Sequence, residues 1–168
     1  ELHNQFFEEN VKTPTQISNS SVIGSIRELW NDILQNKGEE KAISAANNCV
    51  SYLELNKQIE YLRAQIEFSG SGIILIKLDR TIDNIALVLT CLIYDIPFIP
   101  MDSETPNDRI ELIENICGQK ACKVNDLINK IKIESNQNFD SQIAYCIATS
   151  GSTGVPKIVG VKRKGYLA

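Results

Sequence analysis

Residues Ile73 to Leu78 form an apolar run broken only by Lys77, the pattern expected of a strand covered on both faces. An alternation follows it. The spacing predicts a helix around Ile82 to Tyr94, then a short strand from Phe98 to Met101. Thr105 and Pro106 serve as cap and first residue of a further helix, which carries Ile110, Leu112, Ile113 and Ile116 and stops at Gly118. A strand at Ala121 to Val124 and a helix over Asn125 to Ile133 come next, then a polar loop from Glu134 to Ser141. Ile143 to Ala148 and Ile158 to Lys162 read as strands. Strands alternating with helices need crossover connections, and those build a largely parallel, doubly wound sheet with flanking helices. The predicted fold class is α/β.

Upstream of that alternation, Ser25 with Glu28 makes a capping box ahead of a helical face of Ile26, Leu29, Trp30, Ile33 and Leu34. Two short strands, Ala42 to Ala46 and Cys49 to Tyr52, are joined at Asn47 and Asn48, residues that tolerate a tight turn. A second capping box, Ser51 with Glu54, opens a helix carrying Leu55, Ile59, Leu62 and Ile66. Residues 1–24 show no clean period and read as an extension or linker; residues 25–168 read as domain.

Composition excludes several classes. Hydrophobic residues are 43% and charged residues 23% of the 168, which is globular rather than disordered. The net charge is −4, so there is no basic footprint for nucleic acid. The longest uncharged apolar run, Ile85 to Tyr94, is too short to span a bilayer. The five cysteines, at 49, 91, 117, 122 and 146, read as buried free thiols, which suits a cytoplasmic protein. Cys117 and Cys122 have no second pair and no histidine near them, so they do not make a zinc site. His3, the one histidine, sits in the extension, which leaves no Ser-His-Asp or Cys-His arrangement.

The chemistry is concentrated between Thr149 and Lys157. Ser150, Gly151, Ser152, Thr153 and Gly154 follow a buried strand, and Val155 and Pro156 lead into Lys157. Two glycines let successive backbone N–H groups converge on one anion, the hydroxyls add neutral donors, and the lysine adds a point charge. Such clusters commonly mark plain turns, but here apolar strands flank both sides. The loop is not a Walker A motif, because two residues rather than four separate the glycines and Lys157 follows three later.

Thr149-Ser150-Gly151-Ser152-Thr153-Gly154-Val155-Pro156-Lys157 resembles the phosphate-loop signature of the adenylate-forming enzymes. That superfamily includes acyl-CoA synthetases and the adenylation domains of nonribosomal peptide synthetases. Val50-Ser51-Tyr52-Leu53-Glu54-Leu55-Asn56 is similar to its early motif, and Phe98 to Asp102 with Pro106 and Asp108-Arg109-Ile110 is similar to a second. The resemblance implies the N-terminal portion of the large subdomain of that fold, and a parent protein that activates a carboxylic or amino acid as an acyl-adenylate. It implies ATP and Mg²⁺, with CoA or the phosphopantetheine of a carrier domain as thiol acceptor. It places nucleotide binding on Thr149, Ser150, Gly151, Ser152, Thr153, Gly154 and Lys157, and no catalytic residue in this stretch. The family's later motifs are absent, so the reading expects an incomplete domain that is inactive alone. The alternatives are a non-catalytic adenylation-domain remnant acting as a binding module, or a nucleotide-binding module of unrelated type. Ile158 replaces the family's usual Gly and hints at the β-alanine-activating branch, and Arg163 stands where many members have His. Asp102 is expected to fix a turn rather than to do chemistry.

Overall fold

The computed structural model describes residues 24–45, 48–68, 72–128, 130–133, 140, 142–149 and 155–165. Helix α1 (Ile26–Lys37) starts where Ser25 accepts a hydrogen bond from the Glu28 amide, and it buries Trp30. Leu29, expected on the same face, is 39% exposed. Strands β1 (Lys41–Ala45) and β2 (Asn48–Ser51) pair antiparallel. Asn48 thus belongs to a strand, not to the turn; Ala46 and Asn47 lie outside the described residues. Helix α2 (Tyr52–Gln65) carries the full reciprocal capping box of Ser51 and Glu54. It buries Leu55, Ile59 and Leu62.

The early motif around Ser51 is therefore architectural. Ser51 and Glu54 cap the helix and Leu55 enters the core. The Tyr52 ring meets Trp30 edge-on at 5.9 Å, and Asn56 Oδ1 accepts the Trp30 indole N–H at 2.8 Å. Ser51 and Glu54 thus start α2, and Tyr52 and Asn56 fasten it to α1.

Strand β4 (Ile74–Leu78) lies in a five-stranded sheet with β5 (Phe98–Asp102), β6 (Ala121–Cys122), β8 (Ile143–Thr149) and β9 (Lys157–Lys162), in the order β6-β4-β5-β8-β9. The first four run parallel and β9 closes the row antiparallel. Helix α3 (Ile82–Ile93), capped by Thr81, returns the chain from β4 to β5. Helix α4 (Asn107–Cys117) returns it from β5 to β6 and ends at Gly118, whose φ of 65° is the left-handed stop glycine permits. The expected Thr105 cap is displaced by one residue. Pro106 occupies the cap position and offers no side-chain bond.

The alternating faces of β4 build two cores. Ile74 and Ile76 join Trp30, Leu55, Ile59 and Leu87 from α1, α2 and α3. Ile73 and Leu75 join Ile110, Ile113 and Cys117 from α4, together with Ile143, Cys146 and Ile158 from the far strands. Helices thus lie on both faces of a mainly parallel sheet, as the sequence predicts.

The helix expected over Asn125 to Ile133 does not form. A 3-10 turn at Val124–Ile128 is followed by β7 (Ile131–Ile133), paired parallel with β3 (Ile66–Phe68). Ile66, expected at the end of a helix, begins β3 instead. Tertiary pairing overrides the local period here.

Candidate functional site

Strand β8 runs parallel to β5, so Thr149 ends it at the carboxyl edge of the sheet, where open α/β folds bind ligands. The ladder pairs Thr149 with Lys157, and Thr149 Oγ1 donates to the Lys157 carbonyl at 3.4 Å. The glycine–serine segment is therefore the loop of a hairpin whose mouth is held by its two flanking polar residues. Both Thr149 and Lys157 are exposed. Ser150, Gly151, Ser152, Thr153 and Gly154 lie outside the described residues. Pro156 is buried and Val155 is 41% exposed.

Side chains alternate along a strand, and this fixes what Ile158 does. It pairs with Ala148 and is fully buried in the core beneath α4. The departure from the family's glycine is thus accommodated in the interior, on the face opposite Lys157. Gly160 pairs with Cys146, where an added Cβ would come within 3.0 Å of Ile143 Cδ1.

The second motif builds the neighbouring carboxyl end. Asp102 Oδ1 accepts the Glu104 amide at 2.8 Å, and the Asp102 carbonyl accepts the Thr105 amide at 2.9 Å. Asp102 fixes a turn by side-chain-to-backbone bonding, the role expected of it. That turn delivers Pro106 and the first turn of α4, from which Arg109 Nη2 donates to the Ala148 carbonyl at 3.3 Å. Sequence reasoning gave Arg109 no site role, and the contact joins residues 39 apart.

Arg163 lies elsewhere. It follows β9 at the end away from Lys157, about 20 Å along the strand at 3.3 Å per residue. There Nε sits 2.8 Å from Asp95 Oδ1 and Nη2 donates to the Asp95 carbonyl at 2.8 Å. Asp95 turns the chain from α3 into β5 with a φ of 56°. Among the described residues these Arg163 side-chain contacts fall on that turn.

Four of the five cysteines hold no nucleophile in waiting. Burial pushes the Cys117, Cys122 and Cys146 thiols up to about 12, and Cys91 is raised by the same cause. Cys49 departs from the expectation of burial, being exposed on β2. His3 lies outside the described residues. Among the described residues no cluster of His, Cys, Asp or Glu could hold a metal ion, and no helix is long and apolar enough to cross a membrane. Cavities of about 350, 380 and 210 Å³ open on α2, on β3 with β7, and on α3. No residue of the β8–β9 hairpin lines them.

No protein-family model matches the chain. Surfactin synthase subunit 2 of Bacillus subtilis is 27% identical to it over 160 residues, covering 81% of this chain and 4% of the relative's own length. The N-terminal subdomain of Klebsiella oxytoca NpsA shares the fold with a TM-score of 0.68 at 20% identity, over 88% of this chain and 44% of that one. O-succinylbenzoate coenzyme A synthetase from Bacillus subtilis, solved in complex with AMP, gives 0.57 at 17% identity, over 79% and 41%. The chain spans less than half of either solved structure and a small part of the synthase. Relatives in sequence and neighbours in fold agree: the chain is similar to nonribosomal peptide synthetases, and it shares the fold of the N-terminal part of adenylate-forming proteins.

Proposed function

We propose that this chain supplies the nucleotide-phosphate cradle of a protein that activates a carboxylic or amino acid as an acyl-adenylate. The observation that carries the reading is the Thr149–Lys157 pair, which clasps a loop of small hydroxylated residues and glycines at the carboxyl edge of the sheet. In this reading Thr149, Ser150, Gly151, Ser152, Thr153 and Gly154 surround the β- and γ-phosphates with backbone and hydroxyl donors. Lys157 adds one positive charge at the loop's end. A carboxylate oxygen of the substrate attacks the α-phosphorus, the bond to the β-phosphate oxygen breaks, and pyrophosphate leaves. The loop's task is to hold that leaving group in line and to stabilise its growing charge. Mg²⁺ bound with the nucleotide would neutralise further phosphate charge. The acyl group then passes to a thiol, that of CoA or of the phosphopantetheine arm on a carrier domain. Residues 25–168 belong to this unit, and residues 1–24 precede it.

The two ends of the loop fit a polyphosphate. An exposed ammonium and an exposed hydroxyl stand on paired residues, so both project to the same side of the hairpin. Titrating the 168-residue chain with ATP, pyrophosphate and adenosine tests the proposal. Lys157→Ala removes a charge-assisted contact worth about 1.5–3 kcal/mol, so ATP and pyrophosphate should bind roughly 10- to 100-fold more weakly. Adenosine should be unaffected. Equal ATP affinity in the variant and the parent chain would exclude Lys157 from the cradle. A chain that binds partner proteins but no nucleotide would instead identify a non-catalytic binding module.

A further inference from the structure

Arg109 stands in the first turn of α4, half-buried, and reaches across to β8. Strand β5 pairs with β8 only through Phe98 and Tyr145. The ladder does not continue past that pair: Pro100, two residues on and so facing the same way as Phe98, has no N–H to donate. Further along β8 the Ala148 carbonyl is met by the Arg109 guanidinium. Among the described residues Arg109 has no carboxylate partner. A cation placed against a neutral carbonyl polarises that peptide group. In a trans peptide the C=O and N–H point in opposite directions. Holding the Ala148 carbonyl toward α4 therefore holds the Thr149 N–H toward β9, where Lys157 is its ladder partner.

We propose that Arg109 is a positioning residue for the phosphate loop: through the Ala148 carbonyl it fixes the peptide plane from which the loop departs, and so sets Thr149 against Lys157. This rests on the reading that the loop binds phosphate, and it links the second motif to the third by one side chain. Arg109 itself touches no phosphate in this arrangement.

The experiment compares Arg109→Lys, which keeps the stem and a cationic donor, with Arg109→Met, which keeps the stem alone. In the ¹⁵N-labelled 168-residue chain, Arg109→Met should move the Thr149 amide resonance and speed its hydrogen exchange, while Arg109→Lys stays near the parent. Pyrophosphate and ATP affinities should fall about tenfold in Arg109→Met, equivalent to about 1.4 kcal/mol, and recover most of that in Arg109→Lys. Adenosine affinity should not change. If Arg109→Met leaves the Thr149 amide and pyrophosphate binding as in the parent, the side chain only packs and the proposal is overturned. If no chain binds pyrophosphate, the phosphate reading fails; the Thr149 resonance then still decides whether Arg109 sets that peptide plane.

Discussion

Replacing Asn56 with leucine should loosen the joint between α1 and α2 and leave the sheet intact. Asn56 Oδ1 accepts the Trp30 indole N–H at 2.8 Å, and Trp30 is only 7% exposed. Leucine is close to isosteric with asparagine, so the main consequence is an indole N–H with no acceptor in a site that admits little water. Leaving a buried donor unpaired costs about 1–3 kcal/mol. The added methyl groups recover less than that, because position 56 is itself only half-buried. A net loss of about 2 kcal/mol corresponds to a fall in Tm of roughly 4–8 °C for a domain of this size. The chain has a single tryptophan, so its emission reports this joint alone and should change in intensity or wavelength at temperatures below the melt. Trp30→Phe supplies the control. Once the donor is gone, adding Asn56→Leu should cost little, giving a coupling of about 1 kcal/mol or more between the two changes. An Asn56→Leu melt within 2 °C of the parent, or two variants whose effects simply add, would refute the reasoning.

Cys117, Cys122 and Cys146 have folded-state values of about 12 against an ordinary 9.0. A raised value favours the neutral thiol in the fold, so this stability is fully present below pH 9 and drains away as pH rises toward 12. Circular dichroism in moderate urea should show alkaline unfolding within that window, and a thiol reagent at pH 8 should label Cys49 ahead of the other four in the folded chain. Arg163→His should lower Tm through the lost grip on Asp95 while leaving ATP and pyrophosphate affinities within about twofold; a tenfold loss of affinity would place position 163 in the site after all.

Much of the architecture is legible in the chain because its signals are local. Ser51 with Glu54, the apolar run ahead of Leu78 and the glycine at 118 each carry their meaning within a few residues. What escapes is set by partners far away. Ile131, Lys132 and Ile133 form a strand because Ile66, Glu67 and Phe68 lie beside them, and their spacing after Leu127 resembles a helix until that pairing is seen. The site divides in the same way. The loop announces itself by composition, whereas Arg109 enters only through a hydrogen bond across 39 residues. Arg163 shows the converse: a motif position close to the loop in sequence is carried away from it by the length of a strand.

The antiparallel turn of β9 also sets an order of events when the chain folds. Thr149 and Lys157 are eight residues apart, while the pairing that anchors β8 to the sheet joins Phe98 and Tyr145. A hairpin of that span closes in about 1–10 μs, long before strands separated by two crossovers can find each other. Closure entropy grows slowly with loop length, yet the long-range contact returns nothing until β4, β5 and α4 are already in place. The clasp around the loop is thus a local kinetic unit that docks late onto a slowly assembled sheet. Sequence changes inside the loop should alter how the hairpin closes and leave the rate-limiting assembly of the sheet nearly untouched.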